Sequence, residues 1–564
     1  LGADMKGIFL YEATPLTSLH LHSARRGELK TPGTMATVRA FIAVALVVLL
    51  VASINFMNLA TVRATRRARE VGVRKAIGAS RYHVMVQFLG EALLLTTLAV
   101  LLGVMLAELL LPPFNALIGR ELDLDLVATA WLLPVLIIGL TAVAGAYPAF
   151  YLASFNAAKV LRGSDTGAAS GQWFRKALVV FQFSAAVALL IAAWVIDAQL
   201  RHVRNVDLGY ARENVVVLDN IGAEGVGRNW DLLKQQLLMH PDIVAVTASN
   251  SLPTGAVGAG YYFEYDGGAD SRTMPVALVD FDYFETFGIP FVAGRAFSRD
   301  FASDVPAAGR GGAFVLNESA VRQLGWTPEQ ALGQRVGLTC CGMEDGIVVG
   351  VARDVQHGSV HAPRGPIVYV IPPEPVDRIH SETRLGLQRI ALKLSGNNLE
   401  DTLAYIDATW KARRPEQAMS LAFLDEKLAG LYLNEERQGR VLAAFALLAI
   451  VITCMGLYGL SSYNALLRTK EIGVRKVMGG SVWSIVLLLT NDFSKLVLLS
   501  NLIAWPLAYV AMERWLQTFA YRIDLAPLIF IGSGLIALCI AWVTVGGTAA
   551  KAANAKPVLA LRYE

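Results

Sequence analysis

Seven runs of mainly apolar residues dominate the sequence, at 40–62, 86–111, 127–152, 177–199, 440–464, 487–512 and 526–547. A bilayer core takes about 20 such residues per helix. The runs from Ala40 to Leu59, Ala177 to Ile196 and Val441 to Tyr463 hold no charged side chain. These runs explain why 54% of the 564 residues are hydrophobic and only 17% charged, against about 25% charged in soluble domains. A wholly soluble enzyme is excluded. Fifty basic against 46 acidic residues leave a net charge of +4, too little for a basic nucleic-acid surface, so no nucleic-acid partner is expected. Eight His and four Cys argue against a disulfide framework or a multi-zinc scaffold.

Orientation follows from the charges between the runs. Arg63, Arg66, Arg67, Arg69, Arg74, Lys75 and Arg81 follow the first run, and Lys159, Arg162, Arg175 and Lys176 precede the fourth. Arg468, Lys470, Arg475 and Lys476 follow the fifth, and Lys551, Lys556 and Arg562 end the chain. The alternate loop Arg120-Glu121-Leu122-Asp123-Leu124-Asp125 has acid in excess. Cytoplasmic loops are the ones rich in Lys and Arg, so all four basic segments and the C-terminus are expected in the cytoplasm.

Residues 201–437 then lie outside the cytoplasm and are long enough for a folded α+β domain. Val215–Leu218, Ile347–Val351 and Ile367–Ile371 read as strands, and Trp230–Met239 and Leu399–Trp410 have helical spacing. Residues 1–33 resemble the end of a comparable domain. The chain begins at Leu1 with neither an initiator Met nor a signal-peptide pattern, and a missing upstream piece is expected.

An internal duplication organises the chain. Glu70-Val71-Gly72-Val73-Arg74-Lys75-Ala76-Ile77-Gly78-Ala79-Ser80 recurs 401 residues on as Glu471-Ile472-Gly473-Val474-Arg475-Lys476-Val477-Met478-Gly479-Gly480-Ser481, with seven of eleven positions identical. Symmetry predicts an upstream span, eight in all, in two halves about an axis along the membrane normal. As helices, the two copies would pair Glu70 with Arg74 and Glu471 with Arg475. They would also align Val73 with Ile77 and Val474 with Met478, and end at Gly78 and Gly479. Such a helix serves either as a headgroup anchor or as a docking surface. The repeated glycines and glutamate, which anchoring does not need, favour docking.

Further stretches point to a family: Asn55-Phe56-Met57-Asn58-Leu59-Ala60-Thr61, Gln182-Phe183, Asp207-Leu208-Gly209-Tyr210, Ala293-Gly294-Arg295-Ala296-Phe297-Ser298, Leu316-Asn317-Glu318-Ser319-Ala320, Leu332-Gly333, Gly350-Val351-Ala352-Arg353-Asp354 and Pro15-Leu16-Thr17-Ser18-Leu19-His20-Leu21. With the motif and the repeat, they resemble the permeases of MacB/FtsX-type ABC transporters. The resemblance implies a multi-pass protein of the bacterial inner membrane: a helical bundle plus an α+β extracytoplasmic domain. It implies a remnant of a first periplasmic core domain at 1–33, FtsX-like three-span domains at 40–162 and 438–564, a stalk helix at 172–200 and a MacB-like core domain at 201–437. It also implies that Glu70, Gly72, Arg74, Lys75 and Gly78, with Glu471, Gly473, Arg475, Lys476 and Gly479, couple the two halves to two ATPase subunits. The simplest members carry four spans per chain, whereas this chain is a fused double.

No Gly-x-x-x-x-Gly-Lys-Ser/Thr loop occurs, so ATP and Mg are expected on the partner ATPase and no cofactor on this chain. No convergent catalytic set is evident, and the chain is read as non-enzymatic. Glu91 and Asp492, at matching positions near the starts of spans two and six, carry either an ion or proton or the dipole of a helix start. Their matched placement favours the second. Cys340-Cys341 reads as two incidental cysteines rather than a strained disulfide or a labile pair, and Cys454 and Cys539 as small apolar residues. His357 and His361 suit a metal only if helical, and Gly358 and Pro363 argue for a loop; His20 and His22 read likewise. Asn55 and Asn58 are expected to bond between helices.

The expected function is coupling of ATP hydrolysis to motion of periplasmic domains, through helices running past the membrane at Lys176–Val206 and from Leu424 to Val441. The cargo expected is antimicrobial peptides, drugs or similar amphipathic molecules, with membrane lipid and a periplasmic protein as further partners. The alternatives are release of lipoproteins, activation of a cell-wall hydrolase, and a ligand-sensing receptor.

Overall fold

The computed structural model describes residues 34–153, 168–219, 230–255, 260–265, 270–306, 311–338, 343–372, 387–416 and 418–554. Residues 1–33 and Cys340-Cys341 therefore lie outside the described residues. Two compact units form. One comprises the chain up to Asp197, Arg437–Glu513 and the chain from Leu525; the other comprises Ala198–Glu436 and Arg514–Asp524.

The first unit opens with α1 (Met35–Arg66), short α2 (Ala68–Ala76) and long α3 (Arg81–Ile118). The second apolar run ends at 111, but α3 continues through Pro112 and Pro113 to Gly119, which closes it at φ +61°. These prolines leave the Glu108 and Leu109 carbonyls without their usual donors. The third expected span follows as α4 (Leu132–Leu140), a π-helical turn at Thr141–Gly145 and α5 (Ala146–Ala153). At about 1.5 Å per residue this run reaches roughly the thickness of a bilayer core. The π turn lies against α3: Thr141 and Thr96 share a hydroxyl hydrogen bond of 2.7 Å. A Cβ on Gly145 would stand only 2.7 Å from the Ala92 methyl. Next comes α6 (Ala168–Asn205).

The second unit holds two sheets. Its elements are β1 (Val215–Asp219), α7 (Trp230–Leu238), β2 (Ile243–Ser249), β3 (Gly260–Tyr265), β4 (Asp270–Leu278), β5 (Phe291–Gly294), β6 (Ala313–Asn317), β7 (Arg335–Leu338), β8 (Met343–Ala352), β9 (Val368–Val370), β10 (Arg389–Leu394), α8 (Leu399–Arg413) and β11 (Ser420–Phe423). One sheet is antiparallel in the order β11-β1-β10-β2. The other runs β5-β8-β6-β9-β4-β3-β7, and β7 also pairs with β8, which closes six strands into a barrel. The strands β1 and β9 are buried along nearly their whole length, hence their unbroken apolar runs. One core joins both sheets and α7 and α8, through residues such as Val216, Leu237, Phe263, Phe314, Leu392 and Trp410.

The chain then resumes the first pattern: α9 (Leu433–Leu467), α10 (Thr469–Val477), α11 (Val482–Leu516) and α12 (Pro527–Ala553). The helix predicted to run unbroken from Leu424 is split, because Leu424–Gly430 is a separate short helix. Among the described residues six helices are long and apolar enough to cross a membrane: α1, α3, α6, α9, α11 and α12.

Candidate functional site: the repeated surface helices

The two copies of the motif form α2 and α10, and each ends in the same way. In α2 the Gly78 N–H donates to the Lys75 carbonyl at 3.1 Å and the Ala79 N–H to the Arg74 carbonyl at 3.0 Å. In α10 Gly479 donates to Lys476 at 3.1 Å and Gly480 to Arg475 at 2.8 Å. Both are Schellman closures, which require a left-handed residue; Gly78 has φ +106° and Gly479 φ +87°. Ser80 and Ser481 then cap the next span, each hydroxyl accepting from a backbone N–H three residues on.

Each helix is held from one side. Val71 is 3% exposed and Ile472 6%, and Gly72 and Gly473 are buried beside them. Ile472 packs with Ala465, Ile485, Leu489, Ala549 and Ala553, and the Lys476 ammonium donates to the Ala553 carbonyl at 2.5 Å. The other side faces outward. Ile77 is 81% exposed and Met478 82%, with Val73 and Val474 half-exposed one turn before them. Beside this ridge lie the ion pairs Glu70–Arg74 and Glu471–Arg475, both 2.8 Å. Burial, then the charge of Arg81, pushes the Lys75 ammonium below its usual pKa.

Glu91 and Asp492 belong to this site. Arg67, at the start of α2, pairs with Glu91 at 3.0 Å, and Arg468, at the start of α10, pairs with Asp492 at 3.0 Å. The acids are half-exposed and brace the surface helices to α3 and α11. Sequence reasoning missed this brace, although both arginines and both acids recur at the same offset of 401. It also missed Gln87, which accepts from Arg74 at 2.7 Å and donates to Glu91 at 3.3 Å. The second half has Leu488 there.

One other expectation needs correction. Asn55 and Asn58 are buried, but the Asn55 Oδ1 and both polar atoms of Asn58 have no hydrogen-bond partner among the described residues. Beside them Gln182 does bond between helices, donating to the Val51 carbonyl at 3.1 Å. His357 is enclosed, and burial lowers its pKa to about 4. His361 stacks on Phe519. Cys454 and Cys539 are free thiols.

Two similar sets of membrane helices, each with a braced surface helix, define a duplicated multi-pass membrane protein with an extramembrane α+β domain. The family model described as FtsX-like permease C-terminal matches it twice, at residues 42–157 and 443–557. These two stretches are similar to the C-terminal domain of FtsX-like permeases. The chain is 37% identical over 118 residues to a protein named macrolide export ATP-binding/permease protein MacB from Campylobacter jejuni, covering 20% of this chain and 18% of that one. It is 39% identical over 107 residues to the protein of that name from Sodalis glossinidius, covering 19% and 16%. The chain thus spans less than a fifth of the length of the curated relatives it matches. Among solved structures, the periplasmic region of MacB from Actinobacillus actinomycetemcomitans is 18% identical, covering 39% of this chain and 92% of that one at a TM-score of 0.28. The extracellular domain of the noncanonic ABC-type transporter YknZ from Gram-positive bacteria is 16% identical, covering 37% and 98% at 0.26.

Proposed function

We propose that the chain is the permease of an ABC transporter and that α2 and α10 each dock a separate ATPase subunit. The observation that carries this reading is the matched pair Ile77 and Met478, each fully presented at the end of a helix whose opposite face is fixed. An apolar side chain left outward on a braced, capped helix suits a protein groove better than water. The Lys/Arg distribution favours the cytoplasmic side for both helices, where ATPases work. On this reading ATP and Mg belong to those subunits, and the FtsX-like match in both halves supports a non-catalytic role for the chain.

Coupling then runs along α6, whose 38 residues extend about 57 Å against a bilayer core of about 30 Å, and along α9. Closure of the ATPases moves the α+β domain, which faces the extracytoplasmic side of the inner membrane and engages a periplasmic protein. The relatives' name, macrolide export, favours an amphipathic cargo such as a drug or peptide. The test is the Arg74→Glu, Arg475→Glu double variant, purified with its ATPase. Loss of permease-dependent stimulation of ATP hydrolysis is expected, with the α+β domain still folded; unchanged stimulation overturns the docking assignment.

A second reading, extraction of a lipid-anchored substrate such as a lipoprotein, is favoured by an apolar crevice in the membrane unit. Phe183, Val187, Leu190, Ile450, Cys454 and Ile540 line it. Protection of Cys454 from a maleimide by the lipid-anchored substrate, and not by a soluble drug, would select that reading.

A further inference from the structure

His361 stands where three segments of the α+β unit meet. Its ring stacks on Phe519, centroids 4.0 Å apart and planes 28° from parallel. Its Nδ1 lies 2.9 Å from the Thr518 carbonyl oxygen, just past the end of α11. Its Nε2 lies 3.4 Å from Glu435 Oε1, in the first turn of α9. The same junction is laced by the backbone. The Ala520 N–H donates to the Val360 carbonyl at 3.2 Å, and the Val360 N–H donates to the Tyr432 hydroxyl at 2.9 Å.

Both polar partners of the ring are acceptors, a carbonyl and a carboxylate. A neutral imidazole has one N–H and can satisfy one of them; only the imidazolium donates to both. We propose that His361 is a proton-operated latch, which as imidazolium ties the exit of α11 to the start of α9 and to the 359–364 segment, and as neutral imidazole lets one tie go. The first half shows the unswitched version. There the Leu117 carbonyl, the repeat counterpart of the Thr518 carbonyl, accepts from Arg440 at 2.9 Å, and Gly119 accepts from Arg437 at 3.1 Å. An arginine stays charged at every physiological pH, whereas a histidine titrates within that range.

The surroundings favour the charged ring. The bond to the Glu435 carboxylate, foremost, raises the His361 pKa above its usual value; burial opposes this, and the Thr518 carbonyl and the charge of Glu435 add to it. The C-terminal end of α11 favours a cation as well. From the first turn of α9 and the residue before it the facing groups are Glu435 and Tyr432, whose pKa burial chiefly raises. The ring's own segment supplies Arg364, which lies over the Tyr521 ring and donates to the Asp207 carbonyl, and the buried His357. The α11 side supplies the charged residues Glu513, Arg514, Arg522 and Asp524. A histidine raised in the folded state stabilises fully below its unfolded pKa and loses that contribution as pH rises through the folded one. The latch therefore closes in acid and opens as pH rises.

The test is hydrogen exchange of the full chain in lipid nanodiscs, followed on peptides covering 514–524 and corrected for intrinsic rates. Protection should fall about tenfold or more, the scale of one charge-assisted hydrogen bond, between about pH 5.5 and about pH 8.5. His361→Arg should keep protection at both pH values, and Glu435→Gln should move the midpoint down. Peptides covering 389–394 report folding in each variant; should His361→Arg disturb them, the midpoint of Glu435→Gln decides. Protection that ignores pH in the unaltered chain, or an unmoved midpoint in Glu435→Gln, overturns the latch.

Discussion

Asn55 faces Gly456, its own counterpart 401 residues along the chain: a Cβ on Gly456 would stand 2.7 Å from the Asn55 Oδ1. One turn on, a Cβ on Gly459, the counterpart of Asn58, would stand 2.3 Å from Leu59 Cδ2. Residues related by a twofold touch one another only near its axis, so α1 and α9 cross at the pseudo-twofold axis of the repeat. The halves differ where they meet. An amide occupies one side and the other side is cut back to hydrogen.

Gly456→Ala is therefore expected to destabilise the membrane unit by about 1–3 kcal/mol, the usual cost of overpacking. A lower melting temperature in detergent would show it. Asn55→Ala in the same chain should restore much of the loss, because the two changes share one contact. An unchanged melting temperature for Gly456→Ala would rule out the close crossing.

Ile77→Asp with Met478→Asp removes the outward ridge without touching the buried side of either helix. Melting should move by less than about 0.5 kcal/mol, as for ordinary surface changes, while stimulation of a cognate ATPase disappears. Stimulation that persists would mean the ridge is not the docking surface.

The Arg67–Glu91 and Arg468–Asp492 braces join half-exposed groups, so each contributes under about 1 kcal/mol to stability. Glu91→Gln with Asp492→Asn should leave melting nearly unchanged yet lower ATPase stimulation, because α2 and α10 lose their alignment. Exchanging the charges, Arg67→Glu with Glu91→Arg and Arg468→Glu with Asp492→Arg, should recover it. Failure of the exchange to recover any stimulation would assign the loss to something other than the pairs.

His357 predicts a pH dependence of opposite sign to that of His361. Burial lowers its pKa to about 4 in the folded chain, against about 6.5 unfolded. The folded state thus binds fewer protons, and stability present above about pH 6.5 is lost as pH falls toward about 4. Unfolding of the α+β unit followed between those limits should show this slope, and His357→Gln should flatten it. An equal slope in the variant would show that other groups carry it.

The sequence carried the local part of this architecture plainly. The strands at 215–218 and 347–351, the helices from Trp230 and Leu399, and the Glu-to-Arg spacing and closing glycines of α2 and α10 all depend on neighbours within a few residues. What it hid depends on the register between helices. The brace from Arg67 to Glu91 spans 24 positions, and no periodicity reveals which turn of α3 faces α2. The same holds for Asn55, whose unpaired Oδ1 arises from what lies across the axis. The closing of six strands by a second partner for β7, and the grouping of Arg514–Asp524 with the α+β unit, are likewise long-range choices that leave no local trace.

The identical closure of α2 and α10 fixes the phase of the last turn, so Ile77 and Met478 leave their helices at the same point. Both are carried by one covalent chain. A partner made of two equal subunits that engages one helix therefore meets the second not at its bulk concentration but at an effective one, on the order of millimolar for short connections. If α2 and α10 dock the proposed partner, the duplication turns two separate encounters into one joint equilibrium, in which release of either subunit leaves it close enough to rebind.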